Sequence, residues 1–413
     1  MSVATASCFV NAPIHAMDIL RSPSHISAVR FCQRQRFAIE RSRRCLNVRS
    51  TLPFPEQKAK YHKELEAAVD AVERACRLCV DVKSSLFSSD GRVLEKNDQT
   101  PVTVADFGVQ ALISLELGKL FPSIPLVAEE DSAFLRSRNL AETVVNAVTA
   151  KASPTNKPCT QDDVLDAIDR GGKDAFVFGS NPATYWVLDP IDGTRGFLKA
   201  SKALYVVGLA LVVDGEIVVG VMGCPNWQTD LSKKSTADFE ECNDILNGSG
   251  AIMIAHIGCG TWTKRFSLLQ DRTTKFPGAW TRCFVDGFDV VHKAHFCIPD
   301  SQTWESLPLS SIFNATTEPD SVEDNQILLL PTCCGSLCKY LMVASGRASV
   351  FILRAKEKTI IKAWDHAVGM ICVHEAGGKL CSEWFFYTIV ISNSLMFSAE
   401  IVIQDYYSLL SMI

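Results

Sequence analysis

The chain has 413 residues, 47% hydrophobic, 21% charged and 9% aromatic, which excludes a disordered, collagen-like or small disulfide-framework protein and leaves room for a sizeable core. At about 150 residues per domain, this length predicts two or three domains. The net charge of −5 is unevenly spread: residues 1–50 hold eight arginines against Asp18 and Glu40, a net of +6, which leaves −11 for the rest, and an acidic body argues against a nucleic-acid polymer as partner.

The first 50 residues contain no lysine, and their arginines sit among small, hydroxylated and apolar residues. That composition predicts an organellar transit peptide, with the mitochondrion as first destination and the chloroplast as second. A secretory signal is not expected, because the apolar runs near Phe9 and Ile14 are broken by Asn11, Pro13 and His15.

Beyond Pro53 and Pro55 the pattern becomes globular, with an amphipathic helix expected over 61–84 and a polar turn through Asn97, Asp98 and Gln99. A second helix is expected over 103–120, with Ala105, Val109, Leu112, Ile113 and Leu120 on one face, ended by Pro122 and Pro125. A short strand over 126–128 then runs into Glu129, Glu130 and Asp131, and residues 136–182 read as an irregular insertion with a helical stretch near 164–168. Strands are expected at 185–188, 205–213 and 217–222, the last two joined as a hairpin at Asp214-Gly215. A break over 223–228 is the expected boundary between an N-terminal metal-binding domain, 51–223, and a C-terminal substrate domain, 224–413. In the second half, strands are expected near 252–257, 327–330 and 348–353 and helices near 337–344 and 363–376, the last stopped by Gly377-Gly378. Residues 384–403 are unusually apolar, but Ser392, Asn393, Ser394 and Glu400 interrupt them, so a buried strand is favoured over a membrane span.

The sixteen cysteines lie along a long chain without a secretory signal, so reduced, buried thiols are expected. Cys76 and Cys79 share the apolar face of the first helix, and no second such pair completes a zinc site.

Walker A, HExxH, GxSxG and GxGxxG patterns are all absent, and what remains is carboxylates. Asp106, Glu129, Asp189, Asp192 and Asp365 each fall at the end of an expected strand or the start of an expected helix, where side chains from separate elements converge. Oxygen donors in such a cluster suit Mg²⁺. Each acid also has a plainer reading: Asp106 completes a capping box begun by Thr103, Asp365 complements a helix dipole, Glu129 belongs to a solvated loop, and Asp189-Pro190 initiates a turn. The strongest signal is Asp189-Pro190-Ile191-Asp192-Gly193-Thr194, read as a Pro-constrained turn. There two carboxylates and the Ile191 carbonyl share metals, the amides of Gly193 and Thr194 hold phosphate oxygens, and the Thr194 hydroxyl orients a water. The chemistry implied is in-line attack by an activated water on a phosphate ester.

Four motifs together resemble the lithium-sensitive, magnesium-dependent phosphatase superfamily that includes inositol monophosphatase. They are Asp98-Gln99-Thr100-Pro101-Val102-Thr103 with Asp106, the Glu129-Glu130 pair, Trp186 through Thr194, and Trp364-Asp365-His366-Ala367 through Gly378. The continuation Arg195-Gly196-Phe197-Leu198 resembles the 3'(2'),5'-bisphosphate nucleotidase branch, including its plant organellar members, more than the inositol monophosphatases. The resemblance implies an α+β fold, a layered α-β-α-β-α sandwich, and hydrolysis of 3'-phosphoadenosine 5'-phosphate to AMP, with Li⁺ as inhibitor. It further implies that Glu129, Asp189, the Ile191 carbonyl, Asp192 and Asp365 hold two or three Mg²⁺ ions and that Asp106 and Thr194 activate the water. Gly193, Thr194, Ser336, Lys339 and, less securely, Arg354 would contact a small nucleotide bisphosphate. The alternatives are an inositol polyphosphate phosphatase and an inactive nucleotide-binding sensor. The sensor is motivated by the departure after Lys379, where an apolar tail replaces the usual polar turn, strand and helix and is expected to destabilise the second domain.

Overall fold

In the computed structural model the described residues are 52–88, 94–95, 101–138, 140–153, 159–172, 184–198, 203–227, 249–268, 278–287, 294–299, 328–332, 335–353, 362–381 and 400–403. The expected transit peptide, Asp98, Arg354 and most of the apolar tail lie outside them.

The first expected helix is α1 (His62–Ser88), followed by a short ladder of β1 (Leu94–Glu95) and β2 (Pro101–Val102). Helix α2 (Val104–Leu120) starts where its capping residue predicts, at Thr103, whose hydroxyl accepts from Ala105 N at 3.1 Å. Its single apolar face is corrected: α2 is buried nearly all round because it packs against α1, two further helices and the sheet, and Leu120, expected inside, is exposed.

After β3 (Leu126–Ala128), the supposed irregular insertion contains α3 (Ala133–Arg138), α4 (Ala141–Thr149) and α5 (Gln161–Gly171). Val144, Val148, Val164, Leu165 and Ile168 bury in the same core as α1 and α2. The segment is therefore part of the scaffold. A Thr160 capping box starts α5.

Strand β4 (Thr184–Asp192) is longer than expected, and its last four residues are the Asp-Pro-Ile-Asp segment read from sequence as a turn. It leads into α6 (Thr194–Leu198), then the hairpin of β5 (Val206–Val213) and β6 (Glu216–Cys224). Strands β7 (Ser249–His256), β8 (Gly260–Ser267) and β9 (Thr281–Arg282) complete a seven-stranded sheet of order β3-β4-β5-β6-β7-β8-β9, antiparallel except for β3 with β4. The boundary expected at 223–228 follows a strand whose partner is β7, so this one sheet holds residues from both sides of it.

A second, wholly parallel sheet has the order β11-β10-β12-β14-β13. Its strands are β10 (His295–Pro299), β11 (Leu328–Thr332), β12 (Val350–Leu353), β13 (Lys379–Cys381) and β14 (Glu400–Ile403). The last of these places four tail residues between β12 and β13. Helices α7 (Leu337–Ala344) and α8 (Ala367–Glu375) lie between the sheets, which is why Val368, Met370, Ile371, Cys372 and Val373 are all buried. The layers thus run α1 with α2, the large sheet, α7 with α8, and the parallel sheet, an α+β sandwich as expected, with no helix among the described residues forming the fifth layer of the α-β-α-β-α order. Burial on both faces also accounts for the continuous apolar run of β5.

Among the described residues Cys76, Cys79 and Cys338 are free and buried, and no helix is long and apolar enough to cross a membrane.

Candidate active site

Along a regular strand, residues three apart face opposite sides, so Asp189 and Asp192 should diverge. They do not, because the pairing of β4 with β5 shifts between them: Asp189 lies opposite Gly208 while Asp192 lies opposite Val206. Three steps on one strand match two on the other, a bulge whose extra residue returns Asp192 to the side of Asp189. A 3₁₀ turn (Ala363–Asp365) at the foot of α8 brings in Asp365, and one oxygen of each carboxylate lies within 4.8 Å of the others.

Three acids, two of them buried and Asp365 half-buried, repel each other at this place. Burial, then the charges of Asp192, Glu129, Asp365 and Asp106, push the Asp189 carboxyl well above its usual range. Burial, Asp192 and Glu129 raise Asp365 to about 8, and burial raises Asp192 to about 6 against the lowering effect of Lys339 and three backbone amides. Asp189 Oδ1 is fully enclosed and, among the described residues, has no hydrogen-bond partner. A converging set of hard oxygen donors with an orphaned, buried oxygen fits a divalent cation of the Mg²⁺ class. Glu129 is exposed and stands outside the 4.8 Å cluster, although its charge acts on Asp189 and Asp365.

Beside this cluster, Asp106 does two things that the sequence leaves as alternatives. Its Oδ2 accepts from Thr103 N at 2.8 Å and from the Thr103 hydroxyl at 2.6 Å, completing the capping box. Its Oδ1 lies 3.3 Å from Thr194 Oγ1, which is also 3.1 Å from the Ile191 carbonyl oxygen. The cap therefore fixes the carboxylate so that its second oxygen faces the first residue of α6. Gly193, between Asp192 and Thr194, turns the chain with φ 86° and accepts from Gly196 N at 2.7 Å through its carbonyl.

The second group of expected residues meets the first through Asp192. Ser336 N donates to Asp192 Oδ1 at 2.9 Å, and Leu337 N and Cys338 N donate to Oδ2 at 2.7 and 3.4 Å. Lys339 is buried, with its ammonium donating to the Gly335 carbonyl. It is thus no surface charge: it faces inward and counters the charge of Asp192.

Several positioning contacts had weak or no sequence signal. Gln110, fully buried, donates to the carbonyls of Glu130 and Ile168 at 2.7 and 2.8 Å and accepts from Glu130 N at 2.8 Å, pinning the turn that follows Glu129. A polar residue four positions after Asp106, among the apolar residues of the first half of α2, is the available clue. Asp169 holds the next residues by accepting from Ser132 N and Oγ at 2.9 and 2.7 Å. Tyr340 on α7 and His366 beside Asp365 are joined at 3.1 Å between Oη and Nδ1.

The sequence profile of the inositol monophosphatase family matches residues 60–383. A protein of Arabidopsis thaliana named "Putative 3'(2'),5'-bisphosphate nucleotidase, mitochondrial" is 63% identical over 377 residues, 89% of this chain and 89% of that protein. The 3'(2'),5'-bisphosphate nucleotidase of Dictyostelium discoideum is 34% identical, covering 75% of this chain and 83% of its own. A solved structure, CysQ from Bacteroides thetaiotaomicron, aligns with TM-score 0.43 and 18% identity over 76% of this chain and 87% of that one. The profile match over most of the chain, with the 63% identical relative, shows that this protein belongs to the inositol monophosphatase family.

Proposed function

We propose that the protein is a Mg²⁺-dependent, Li⁺-inhibited phosphomonoesterase that hydrolyses the 3'-phosphate of 3'-phosphoadenosine 5'-phosphate, yielding AMP and inorganic phosphate. The observation that carries this reading is the buried cluster of Asp189, Asp192 and Asp365 beside the Asp106–Thr194 contact. The choice of a nucleotide bisphosphate rests on the names of the relatives and on Arg195-Gly196-Phe197.

In this reading Asp189, Asp192, Asp365, Glu129 and the Ile191 carbonyl hold two or three Mg²⁺ ions. Bound there, Mg²⁺ supplies charge stabilisation for the phosphate oxygens and makes a water more acidic. Thr194 Oγ1 accepts a proton from the attacking water and passes its own to Asp106 Oδ1, the oxygen that lies 3.3 Å from it. The Gly193 and Thr194 amides orient the phosphate. In this reading Ser336 and Arg354 serve the rest of the nucleotide, and Lys339, buried, acts on it indirectly through the Asp192 charge and the Gly335 carbonyl. Residues 1–50 carry the protein to the mitochondrion, a reading tested by import of a fluorescent fusion of that segment.

The deciding experiment compares phosphate release from 3'-phosphoadenosine 5'-phosphate and inositol 1,4-bisphosphate, with and without Mg²⁺, using Asp192→Asn as control. Mg²⁺-dependent release that prefers the nucleotide and is lost in Asp192→Asn is expected. Faster release from the inositol compound would reassign the substrate, and nucleotide binding without release would make the protein a sensor.

A further inference from the structure

Asp192 belongs to two structures at once. One is the carboxylate cluster, where it lies with Asp189 and Asp365. The other is the start of α7, whose first free amides, at Ser336, Leu337 and Cys338, all point at its two oxygens. These contacts bridge 144 to 146 residues of sequence. Helix N-termini leave such amides without partners inside the helix, and a carboxylate there also meets the positive end of the helix dipole. The residue that should cap α7 does not: Ser336 makes no side-chain capping bond. Asp192 replaces it from across the fold.

This approach depends on one residue. Gly335 has φ 72°, a conformation side chains rarely adopt, and a Cβ there would stand 2.1 Å from Asp192 Oδ2 and 2.6 Å from its Cγ. The same backbone turn directs the Gly335 carbonyl at the Lys339 ammonium, one turn into α7. Behind the helix there is no slack, since a Cβ on Gly208 would meet Leu337 Cδ1 at 2.3 Å. Helix α7 cannot retreat to admit a side chain at 335 without losing its seat on β5.

We propose that Gly335 is a positioning residue: it lets the N-terminus of α7 close on Asp192, so that the seating of α7 and the affinity of the carboxylate cluster for a divalent cation are coupled. A cation that draws on Asp192 acts on a group α7 already orients, and an unseated α7 leaves Asp192 free to turn away from Asp189 and Asp365. The cation half of this inference rests on the proposed role of the cluster; the seating half does not.

The test uses the full chain and two measurements. Amide hydrogen exchange at Ser336, Leu337 and Cys338, in cation-free protein, is expected to accelerate at least tenfold in Gly335→Ala and in Asp192→Ala. Asp189→Ala, which removes a neighbouring carboxylate, is expected to stay within twofold of the parent. Binding of Mn²⁺ alone, followed by its paramagnetic resonance signal, is expected to weaken at least fivefold in Gly335→Ala although every carboxylate remains. Gly215→Ala controls for backbone strain, because Gly215 has φ 83° with nothing within 4 Å, at the far end of β5. Unchanged exchange in both Gly335→Ala and Asp192→Ala overturns the proposal, as does accelerated exchange with unchanged Mn²⁺ affinity. A parent protein that binds no Mn²⁺ would sink the cation reading of the cluster, while the exchange arm would still read the seating of α7. If Asp192→Ala does not fold, Gly335→Ala alone decides.

Discussion

The hydroxyl of Thr194 lies 3.3 Å from Asp106 Oδ1 and 3.1 Å from the carbonyl of Ile191, and its single proton can serve only one of them at a time. A relay from water to carboxylate requires that proton to point at Asp106 Oδ1 while Oγ1 accepts another from the water. Thr194→Val is expected to lower turnover by about 10²-fold or more, within the usual range for a lost proton-transfer group, whereas Thr194→Ser keeps most of it. Asp106→Asn separates chemistry from folding: the amide still caps α2 but is a poor base, so turnover falls while the melting temperature holds. Asp106→Ala adds the lost cap, about 1–2 kcal/mol by urea denaturation. A Thr194→Val enzyme with full turnover would remove the relay.

Gln110 fills a buried place with three satisfied hydrogen bonds, two of them to Glu130. Gln110→Leu has nearly the same volume and takes from the Glu130 amide and carbonyl the bonds that Gln110 makes, while the Ile168 carbonyl keeps the Gly172 amide at 3.0 Å. Removing a hydrogen-bond partner from a buried polar group costs about 1–3 kcal/mol, so a loss of at least that size is expected in urea denaturation. The Mg²⁺ concentration for half-maximal turnover should also rise, because Glu129 rides on the turn that Gln110 fixes. Stability lost with an unchanged Mg²⁺ requirement would confine Gln110 to the scaffold.

Three carboxylates that burial and mutual repulsion push upward are a liability that a cation removes. Mg²⁺ at a hundred times its dissociation constant is expected to stabilise the protein by about 2.7 kcal/mol, read as a higher melting temperature than in chelator. Asp365→Asn should melt higher than the parent in chelator, since it takes away one repelling charge, and should gain less from Mg²⁺. A melting temperature indifferent to Mg²⁺ in the parent would argue that the cluster holds no ion.

Much of this was legible in the sequence where the determinants are local. The Thr103 cap, the Asp214-Gly215 hairpin and the limits of α7 follow from a few adjacent residues, and the structure has them where expected. The chemical type of the site was also legible, because Asp106, Asp189, Asp192 and Asp365 could be named as acids at element ends. What could not be read is how they meet. The bulge in β4 is a property of its pairing with β5, and without it a spacing of three sends the two aspartates apart. The clasp of α7 on Asp192 and the hold of Gln110 on Glu130 join segments remote in sequence, and neither leaves a local pattern. Strand β8 was missed because Thr261, Thr263 and Arg265 alternate with only two large apolar residues, Trp262 and Phe266, on a strand whose middle is half-buried.

Lys83 lies at the end of α1 with its ammonium 5.0 Å from the Tyr205 ring centre and 5.5 Å from that of Phe197, the aromatic residue of α6. Burial holds its amine down to about 8 from 10.5, against the opposing influence of the Cys79 thiol. Between those two values the unfolded chain carries the proton and the folded protein has released it, so stability contributed at this position rises as pH rises through the window. The parent's melting temperature relative to Lys83→Met is therefore expected to increase from pH 7 to pH 10. The rings pull the other way, since each attracts the charged form by about 0.5–2 kcal/mol. If that attraction outweighed burial, the amine would sit near or above its ordinary value and the difference between parent and Lys83→Met would be flat or falling with pH. Because Phe197 shares α6 with Thr194, Lys83→Met also reports on the site: turnover of the variant should follow its melting temperature only if the helix loosens as a unit.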